Sequence, residues 1–274
     1  MRHTFSHTPL SLDYLPRAIK WLLVSNIAVY IIQVFAGRSF IYTFGLVPYR
    51  VTKNFWFWQV FTYMFLHGGL FHLLFNLFIL WMFGKSVEDA WGTKPFLKYY
   101  FICGLGAALF IILTGPKSMM ANIGASGAIY GILAAFAMLY PEAIIYLYFL
   151  IPIKAKHLAI LLGIVAFLAG ISGSGPGIAH LGHLGGLVVG YIYLKFPVWK
   201  YRFHLERFLP ILHFPKIRLR NLFKRRVYQE KIGNLEKEVN RILDKILIRG
   251  IESLTPEEKR IMDEYTRRKN KNAN

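Results

Sequence analysis

Residues 124–127 read Gly-Ala-Ser-Gly and open an apolar run that extends from Ala128 to Tyr140. Glycine and serine are common where membrane helices pack together, so helix contact alone accounts for such a stretch. A serine flanked by glycines at the head of an apolar helix does little to anchor that helix in lipid. Ser126 is therefore also a candidate nucleophile, and the remaining polar residues of the apolar segments decide between the two interpretations.

The composition indicates a polytopic membrane protein. The chain has 274 residues, 55% of them hydrophobic, with a mean hydropathy of +0.40, and several apolar runs are long enough to span a bilayer. Of 33 basic residues, 21 follow Leu194. This excess favours contact with anionic lipid headgroups over binding of nucleic acid. The single cysteine, Cys103, excludes an intrachain disulfide and is assigned to packing.

The apolar runs predict an all-α fold with six membrane helices, separated by an aromatic first connection (37–65), a charged loop (85–94) and a stretch, 142–152, that the pattern does not place. The predicted spans are 18–36, 70–83, 95–114, 126–140, 157–171 and 178–196. Lysine and arginine are concentrated before the first span, in the second and fourth connections and in the tail. The positive-inside rule therefore predicts that both termini are cytoplasmic, in a multi-pass protein of the plasma or inner membrane.

In this topology the second, fourth and sixth helices enter the membrane from the outside. Their early turns carry His72 and Asn76, Ser126, and His183, respectively, so these side chains share one depth. Glycines recur on the fourth and sixth helices and predict that their backbones approach closely enough for a serine–histidine hydrogen bond. These glycines are Gly127, Gly131, Gly182, Gly186 and Gly190.

The chemistry of these groups predicts a serine–histidine dyad. Ser126 is the candidate nucleophile and His183 the candidate general base. The four acids before the tail, namely Asp13, Glu88, Asp89 and Glu142, are all predicted to be cytoplasmic, so none orients His183. Tyr130 lies one turn below Ser126 and either packs on the imidazole or makes an ordinary helix contact. The Ser126 backbone N–H, His72 and Asn76 are candidate oxyanion donors.

In their order along the chain, these residues resemble the motifs of the rhomboid intramembrane serine proteases. The matching residues are Trp58, His-Gly-Gly-Leu-Phe-His at 67–72, Asn76, Gly-Ala-Ser-Gly at 124–127 with Tyr130, and Ala-His-Leu-Gly-His-Leu-Gly-Gly at 179–186. The resemblance covers residues 18–196. One departure is Gln59, where many members have an arginine that is thought to be structural.

The resemblance implies a six-helix core with a catalytic Ser126–His183 dyad supported by Gly124, Gly127 and Tyr130. It further implies an oxyanion hole formed by His72 and Asn76, and a water-filled cavity that opens to the outside. The implied substrates are transmembrane segments of other proteins, and the reaction needs no cofactor and no metal. Inactive relatives usually lack the serine or the histidine, and this chain has both.

The same residues leave three other functions to consider. His72, His180 and His183 suggest a zinc site, but the sequence has no His-Glu-x-x-His motif, and no carboxylate is predicted at that depth. The Gly-x-Ser-x-Gly elbow of α/β-hydrolases is also missing, since residue 128 is alanine. A catalytically inactive binder of membrane helices remains the alternative, because it needs the same fold and glycines but neither Ser126 nor His183.

The chain is divided by composition into a cytoplasmic segment (1–17), the membrane domain (18–196), a basic juxtamembrane linker (197–231) and a small helical cytoplasmic tail (232–274). Aromatic and basic residues in the linker predict contact with the anionic cytoplasmic leaflet. The tail is predicted to contain an amphipathic helix over 232–248. A second helix begins at Thr255-Pro256-Glu257-Glu258, which has the spacing of a capping box.

Overall fold

The structure is a computed structural model that describes residues 15–147, 150–172, 177–202, 238–248 and 250–271. It divides into two units, Met1–Ile217 and Arg218–Asn274. The first unit is built of helices joined by short connections and one hairpin. Its helices are α1 (Arg17–Phe44), α2 (Pro48–Asn54), α3 (Gln59–Thr62), α4 (Leu70–Ile79), α5 (Lys85–Trp91), α6 (Thr93–Thr114), α7 (Ser126–Leu139), α8 (Ala155–Ile171) and α9 (Gly177–Arg202). The strands are β1 (Ile144–Leu147) and β2 (Ile151–Lys154).

Three helical stretches of the described chain are long and apolar enough to cross a bilayer. They are Arg17–Phe44, Leu70–Trp91 and Thr93–Thr114, while Ser126–Leu139 and Ala155–Ile171 are apolar but shorter. All five overlap predicted spans. The mostly helical fold agrees with the sequence, and the total of six membrane helices remains a prediction.

Helix α1 is longer than its predicted span of 18–36. It continues to Phe44 through a kink at Gly37, whose φ of 71° and ψ of −163° are not helical. Glycine adopts a positive φ at little steric cost, so the chain bends there and resumes its helix. The first connection is also more structured than its aromatic composition suggested, because it contains α2 and α3.

The predicted charged loop at 85–94 is wrong, because residues 85–91 form α5 and residues 93–94 begin α6. The chain passes from α4 through a π-helical turn, Leu80–Gly84, directly into α5. Within α5, Glu88 is buried and its carboxylate accepts hydrogen bonds from the backbone N–H groups of Ala18 (2.8 Å) and Ile19 (2.9 Å) and from the Thr93 hydroxyl (2.7 Å). An acid at a helix N-terminus satisfies donors that have no intrahelical acceptor. Glu88 therefore ties the start of α1 to α5 and to the start of α6.

Gln59 anchors the first connection. Its fully buried side-chain amide donates to the carbonyl oxygens of Tyr42 (2.9 Å) and Thr43 (3.2 Å) and accepts from the backbone N–H of Val47 (3.0 Å). A neutral amide thus binds both the carbonyl end of α1 and the start of the next segment. Glutamine satisfies these groups without burying a charge. Burial of a charged side chain at this position would cost more free energy.

Residues 142–152, which the sequence pattern did not place, include most of an antiparallel hairpin of β1 and β2. Ile145 pairs with Ile153, and both side chains pack on the helical core. The base of the hairpin is held by Glu142, whose carboxylate binds Lys156 (2.6 Å) and Lys154 (2.9 Å). These hydrogen-bonded ammonium groups hold the pKa of the Glu142 carboxyl near 2.

The second unit contains α10 (238–248) and α11 (Pro256–Lys271). The predicted capping box is confirmed: the Thr255 N–H donates to Glu258 Oε2 (2.8 Å), and the Glu258 N–H donates to Thr255 Oγ1 (3.2 Å). Lys245 on α10 forms an ion pair with Glu258 at 2.7 Å. Residues 232–237 of the predicted first tail helix and the linker at 203–231 lie outside the described residues.

Candidate active site

Ser126 and His183 are in direct contact. Ser126 is the first residue of α7, and its Oγ lies 2.6 Å from Nε2 of His183 on α9. When the hydroxyl donates to Nε2, the imidazole proton resides on Nδ1. That Nδ1 atom is buried and has no hydrogen-bond partner among the described residues. The pair therefore has the geometry of a nucleophile and its base, without a carboxylate that orients the base.

Glycines bring the two helices to this distance. A Cβ on Gly186 would lie 1.9 Å from the carbonyl oxygen of Gly127, and a Cβ on Gly190 would lie 3.1 Å from Cα of Gly131. Real Cβ atoms essentially never approach a heavy atom closer than 3.0 Å. The glycines of α7 and α9 thus allow the close backbone approach that the sequence predicted, and this contact lies beside Ser126.

Tyr130 stacks on the imidazole of His183. The ring centroids are 4.6 Å apart and the planes differ by 8°. The His180 ring also approaches the His183 ring, edge-on, with the centroids 5.9 Å apart. Of the two interpretations left open for Tyr130, the structure agrees with packing of the tyrosine ring on the imidazole of His183. Such stacking restricts the orientation of an imidazole that has no acid to hold it.

His72 faces Ser126 across the turn at Gly124. Its Nδ1 accepts a hydrogen bond from the Gly68 N–H (3.1 Å), so its proton resides on Nε2. A Cβ on Gly124 would lie 3.0 Å from Cε1 and 3.2 Å from Nε2 of His72, and 3.7 Å from Ser126 Oγ. Gly124 also has a φ of +128°, which other residues rarely adopt. Glycine is therefore required both for the turn and for space beside the ring.

Asn76 lies one turn after His72 and is buried. Its Nδ2 donates to the carbonyl oxygen of His72 at 2.7 Å, and it is not among the residues that line the cavity beside Ser126. An amide nitrogen has two hydrogens, so one donor remains after this bond. The structure thus places Asn76 directly behind His72.

A cavity of about 140 Å³ adjoins Ser126 and His183. Its wall also includes side chains that the motif search missed, above all Tyr63 and Asn122. The Tyr63 carbonyl accepts the Gly124 N–H (2.9 Å), and its hydroxyl donates to the Gly104 carbonyl (2.7 Å). Asn122 and Leu46 exchange backbone hydrogen bonds of 2.8 and 2.9 Å. These contacts connect the first connection to the turn before Ser126, over separations along the chain that local patterns do not reveal.

His67 packs against the ring of His72. It is fully buried, and its ring meets the His72 ring edge-on at 5.3 Å. The Gln33 side chain on α1 binds the His67 backbone twice, since it accepts from the N–H (3.0 Å) and donates to the carbonyl (2.5 Å). The first helix thereby fixes the segment that leads into α4 and its histidine.

Comparison with known proteins identifies the class of membrane protein to which this fold and site belong. A model of the Rhomboid domain matches residues 54–200, more than half of the chain. The chain therefore belongs to the rhomboid family and is a multi-pass membrane protein. A second model, described as a family of unknown function (DUF6576), matches residues 226–268 in the tail.

Several named relatives are similar to the membrane part of the chain. Rhomboid-like protease 3 of Toxoplasma gondii is 28% identical over 183 residues, which cover 64% of this chain and 66% of the relative. Rhomboid protease AarA of Providencia stuartii is 31% identical, with 62% and 68% covered. Rhomboid protein 1, mitochondrial, of Saccharomyces cerevisiae is 31% identical, with 47% and 38% covered. The chain thus spans about 40% to two thirds of the length of these relatives.

Proposed function

We propose that the protein is an intramembrane serine endopeptidase that cleaves transmembrane segments of other membrane proteins with a Ser126–His183 dyad. The observation that carries the proposal is the 2.6 Å contact between Ser126 Oγ and His183 Nε2 at the wall of a cavity. Two of the relatives, from Toxoplasma gondii and Providencia stuartii, are named proteases. The alternative, an inactive binder of membrane helices, would not need this contact.

In the proposed reaction, Ser126 Oγ attacks the carbonyl carbon of the scissile peptide bond while its proton passes to His183 Nε2. The C–N bond then breaks, and the imidazolium returns the proton to the leaving amine. Water, deprotonated by the same nitrogen, hydrolyses the resulting ester and regenerates the serine. The Tyr130 stack holds the imidazole in position through all of these proton transfers.

The oxyanion is proposed to be bound by three donors. The Ser126 N–H lies in the first turn of α7, where backbone N–H groups have no intrahelical acceptor. His72 contributes the Nε2 proton that its bond to Gly68 implies. Asn76 contributes the second hydrogen of its amide, which the bond to the His72 carbonyl leaves available. Donors aimed at the developing charge act mainly in the transition state.

The size of the cavity suggests the substrate residue at the cleaved bond. A space of about 140 Å³ is close to that of a cavity of roughly 150 Å³ that holds one benzene molecule, so it accommodates a single side chain no larger than an aromatic ring. Substrates are therefore expected to insert one side chain beside Ser126. Gly127 and Gly182 are part of the described wall, and a Cβ at either would lie within 2.7 Å of Ala107 or Ile111, which line the same cavity.

The proposed topology has six membrane helices, cytoplasmic termini and a basic tail on the anionic leaflet of the plasma or inner membrane. Its support is the distribution of lysine and arginine along the chain. Reporter fusions at Asn274 and near Thr93 are expected to report cytoplasm, and a fusion near Lys117 the outside. A cytoplasmic signal near Lys117 would contradict both the topology and the outward opening of the site.

Labelling by a fluorophosphonate tests the dyad most directly. The purified full chain is expected to be labelled and to cleave a model transmembrane substrate, and Ser126→Ala and His183→Ala should each abolish both activities. The double variant should be no worse than either single variant, because the two groups act as a unit. A chelator should have no effect. Cleavage by folded Ser126→Ala, or loss of activity with a chelator and recovery with zinc, would refute the assignment.

A further inference from the structure

A second cavity of about 490 Å³ lies between α7, α8 and α9. It is a groove formed by small residues, namely Ala134 and Ala137 on α7 and Ala159 and Gly163 on α8. Ala134 follows Ser126 by eight residues, so the groove begins about 12 Å farther along α7. It is therefore separate from the catalytic cavity and lies toward the opposite end of the bundle.

The walls of this groove are apolar, and lipid is the medium outside them. Ile160, Ile164 and Phe167 line the groove and are 61%, 51% and 49% exposed, respectively. They lie on α8, an apolar helix of a multi-pass membrane protein. Acyl chains are therefore the molecules available to fill the space, since water gains nothing from an apolar cavity.

One end of the groove carries a positive charge. Lys156 lines it and, together with Lys154, shares the single carboxylate of Glu142. Two ammonium groups and one carboxylate leave an excess of one positive charge, at side chains that are 40% to 52% exposed. The groove thus combines an apolar trough with a cationic mouth, which is the complement of an anionic amphiphile.

Gly163 lies at a position from which a larger side chain would fill this groove. A Cβ there would meet its nearest neighbour, Leu187 Cδ1, at 3.7 Å, which is ordinary contact. By contrast, a Cβ at Gly185 or Gly186 on α9 would come within 2.5 Å of a neighbour. Close packing therefore explains the glycines of α9 but not Gly163, whose missing side chain leaves the groove open.

We propose that this groove is a binding site for an anionic phospholipid, with one acyl chain along α8 and the phosphate at Lys156 and Lys154. The bound lipid replaces side-chain packing between α7 and α8, where the small residues leave a gap. Electrostatic attraction at the mouth selects the headgroup charge, and the trough selects an amphiphile over a free anion.

The test is native mass spectrometry of the delipidated full chain in detergent, with equimolar phosphatidylglycerol and phosphatidylcholine added back. One lipid is expected to be retained, with about a five-fold preference for phosphatidylglycerol, the ratio that corresponds to the about 1 kcal/mol of one lysine at an anionic surface. Equal retention of both lipids by the unmodified chain would overturn the proposal, as would displacement of the lipid by millimolar inorganic phosphate.

A lysine variant and a matched control test the contact with the headgroup. Lys156→Gln leaves Lys154 and Glu142 as a neutral pair and should abolish the preference for phosphatidylglycerol. Lys85→Gln is the matched control, because Lys85 is an exposed lysine in an ion pair with Asp89 (2.7 Å) outside the groove. The control should keep the preference, and equal effects of the two variants would count against the site.

Gly163→Leu should fill the trough and abolish retention of both lipids. Gel filtration and melting temperature show whether it is folded, and Ala159→Leu, which fills the same trough from the next turn, replaces it if it is not. Retention of lipid by a folded filled variant would overturn the proposal. So would a dimer of the unmodified chain that either filled variant dissociates, because a second copy would then be the occupant. Since none of these measurements uses proteolysis, their outcome is independent of the proposed catalytic activity.

Discussion

Replacement of Gly186 by alanine should separate the two proposed catalytic residues without removing either of them. The added Cβ would lie 1.9 Å from the Gly127 carbonyl oxygen, against a practical minimum of 3.0 Å, so α7 and α9 must move apart by at least 1.1 Å. Gly127 adjoins Ser126, and Gly186 lies one turn from His183. If the displacement adds to the 2.6 Å hydrogen bond, the Oγ–Nε2 distance becomes about 3.7 Å, and the bond is lost.

A displacement of about 1 Å at reacting groups costs about 10²-fold in rate. We therefore expect Gly186→Ala to lower kcat for a model transmembrane substrate by at least about 10²-fold and to slow fluorophosphonate labelling in parallel. Overpacking of a close helix contact should also destabilise the fold, by about 1–3 kcal/mol. The assays are steady-state cleavage, labelling rate and melting temperature in detergent, all measured on the same preparation.

Two further glycines provide graded controls. A Cβ on Gly182 would meet Cδ1 of Ile111 at 2.7 Å, but this is the flexible end of a side chain, so Gly182→Ala should lose less activity than Gly186→Ala. Gly163→Ala, with 3.7 Å to Leu187, should keep the original rate. A folded Gly186→Ala protein with unchanged kcat would refute the reasoning, and so would equal losses in all three variants.

The other predictions concern the proposed oxyanion donor Asn76, the buried side chains of Gln59 and Glu88, and the exposed carboxyl of Glu142. Asn76→Ala should lower kcat by up to about 10²–10³-fold with little change in KM, and an unchanged kcat in steady-state kinetics would make Asn76 structural. Gln59→Ala leaves three backbone groups without their partner and should cost about 1–3 kcal/mol of stability, seen as a lower melting temperature. Glu88→Gln keeps one acceptor oxygen but loses the charge at the N-terminus of α1, so it should cost less than Glu88→Ala in the same melting experiment. The hydrogen bond from Lys156 contributes most to lowering the Glu142 pKa from 4.5 to about 2, so this ion pair should persist until the pH falls to about 2. Its contribution to stability should be complete above pH 4.5 and be lost as the pH falls from there through 2, and a carboxyl titration by NMR with a midpoint near 4.5 would contradict it.

The sequence predicted a group of site residues that the structure brings close together, because the chemistry is concentrated in short motifs. Gly-Ala-Ser-Gly at 124–127 and His183 are recognisable without coordinates, and the glycine periodicity of α9 predicted the close approach of the two helices. The structure adds the distance of 2.6 Å between Ser126 and His183 and the stacking of Tyr130. Their catalytic roles remain predictions.

The sequence was less informative about residues that act over long separations. Gln33 binds the backbone of His67 across 34 positions, and Glu88 binds that of Ile19 across 69. Charged residues in α5 were predicted to form a loop because local composition does not reveal a buried acceptor for backbone N–H groups. The hairpin after α7 was not placed, because its strands are short and mostly apolar and show no alternation of polar and apolar residues.

Hydrophobic run lengths, glycine spacing and the capping box at Thr255 are local properties, so the sequence by itself determined the apolar helices, the close face of α9 and the start of α11. The tertiary structure alone decided the kink at Gly37 and the π-helical passage into α5, and it alone positioned the Tyr63 carbonyl that receives the Gly124 N–H. The last of these depends on which buried donor meets which acceptor once the helices are packed. That pairing is a property of the assembled bundle, because an isolated segment can satisfy the same groups with its own backbone or with water.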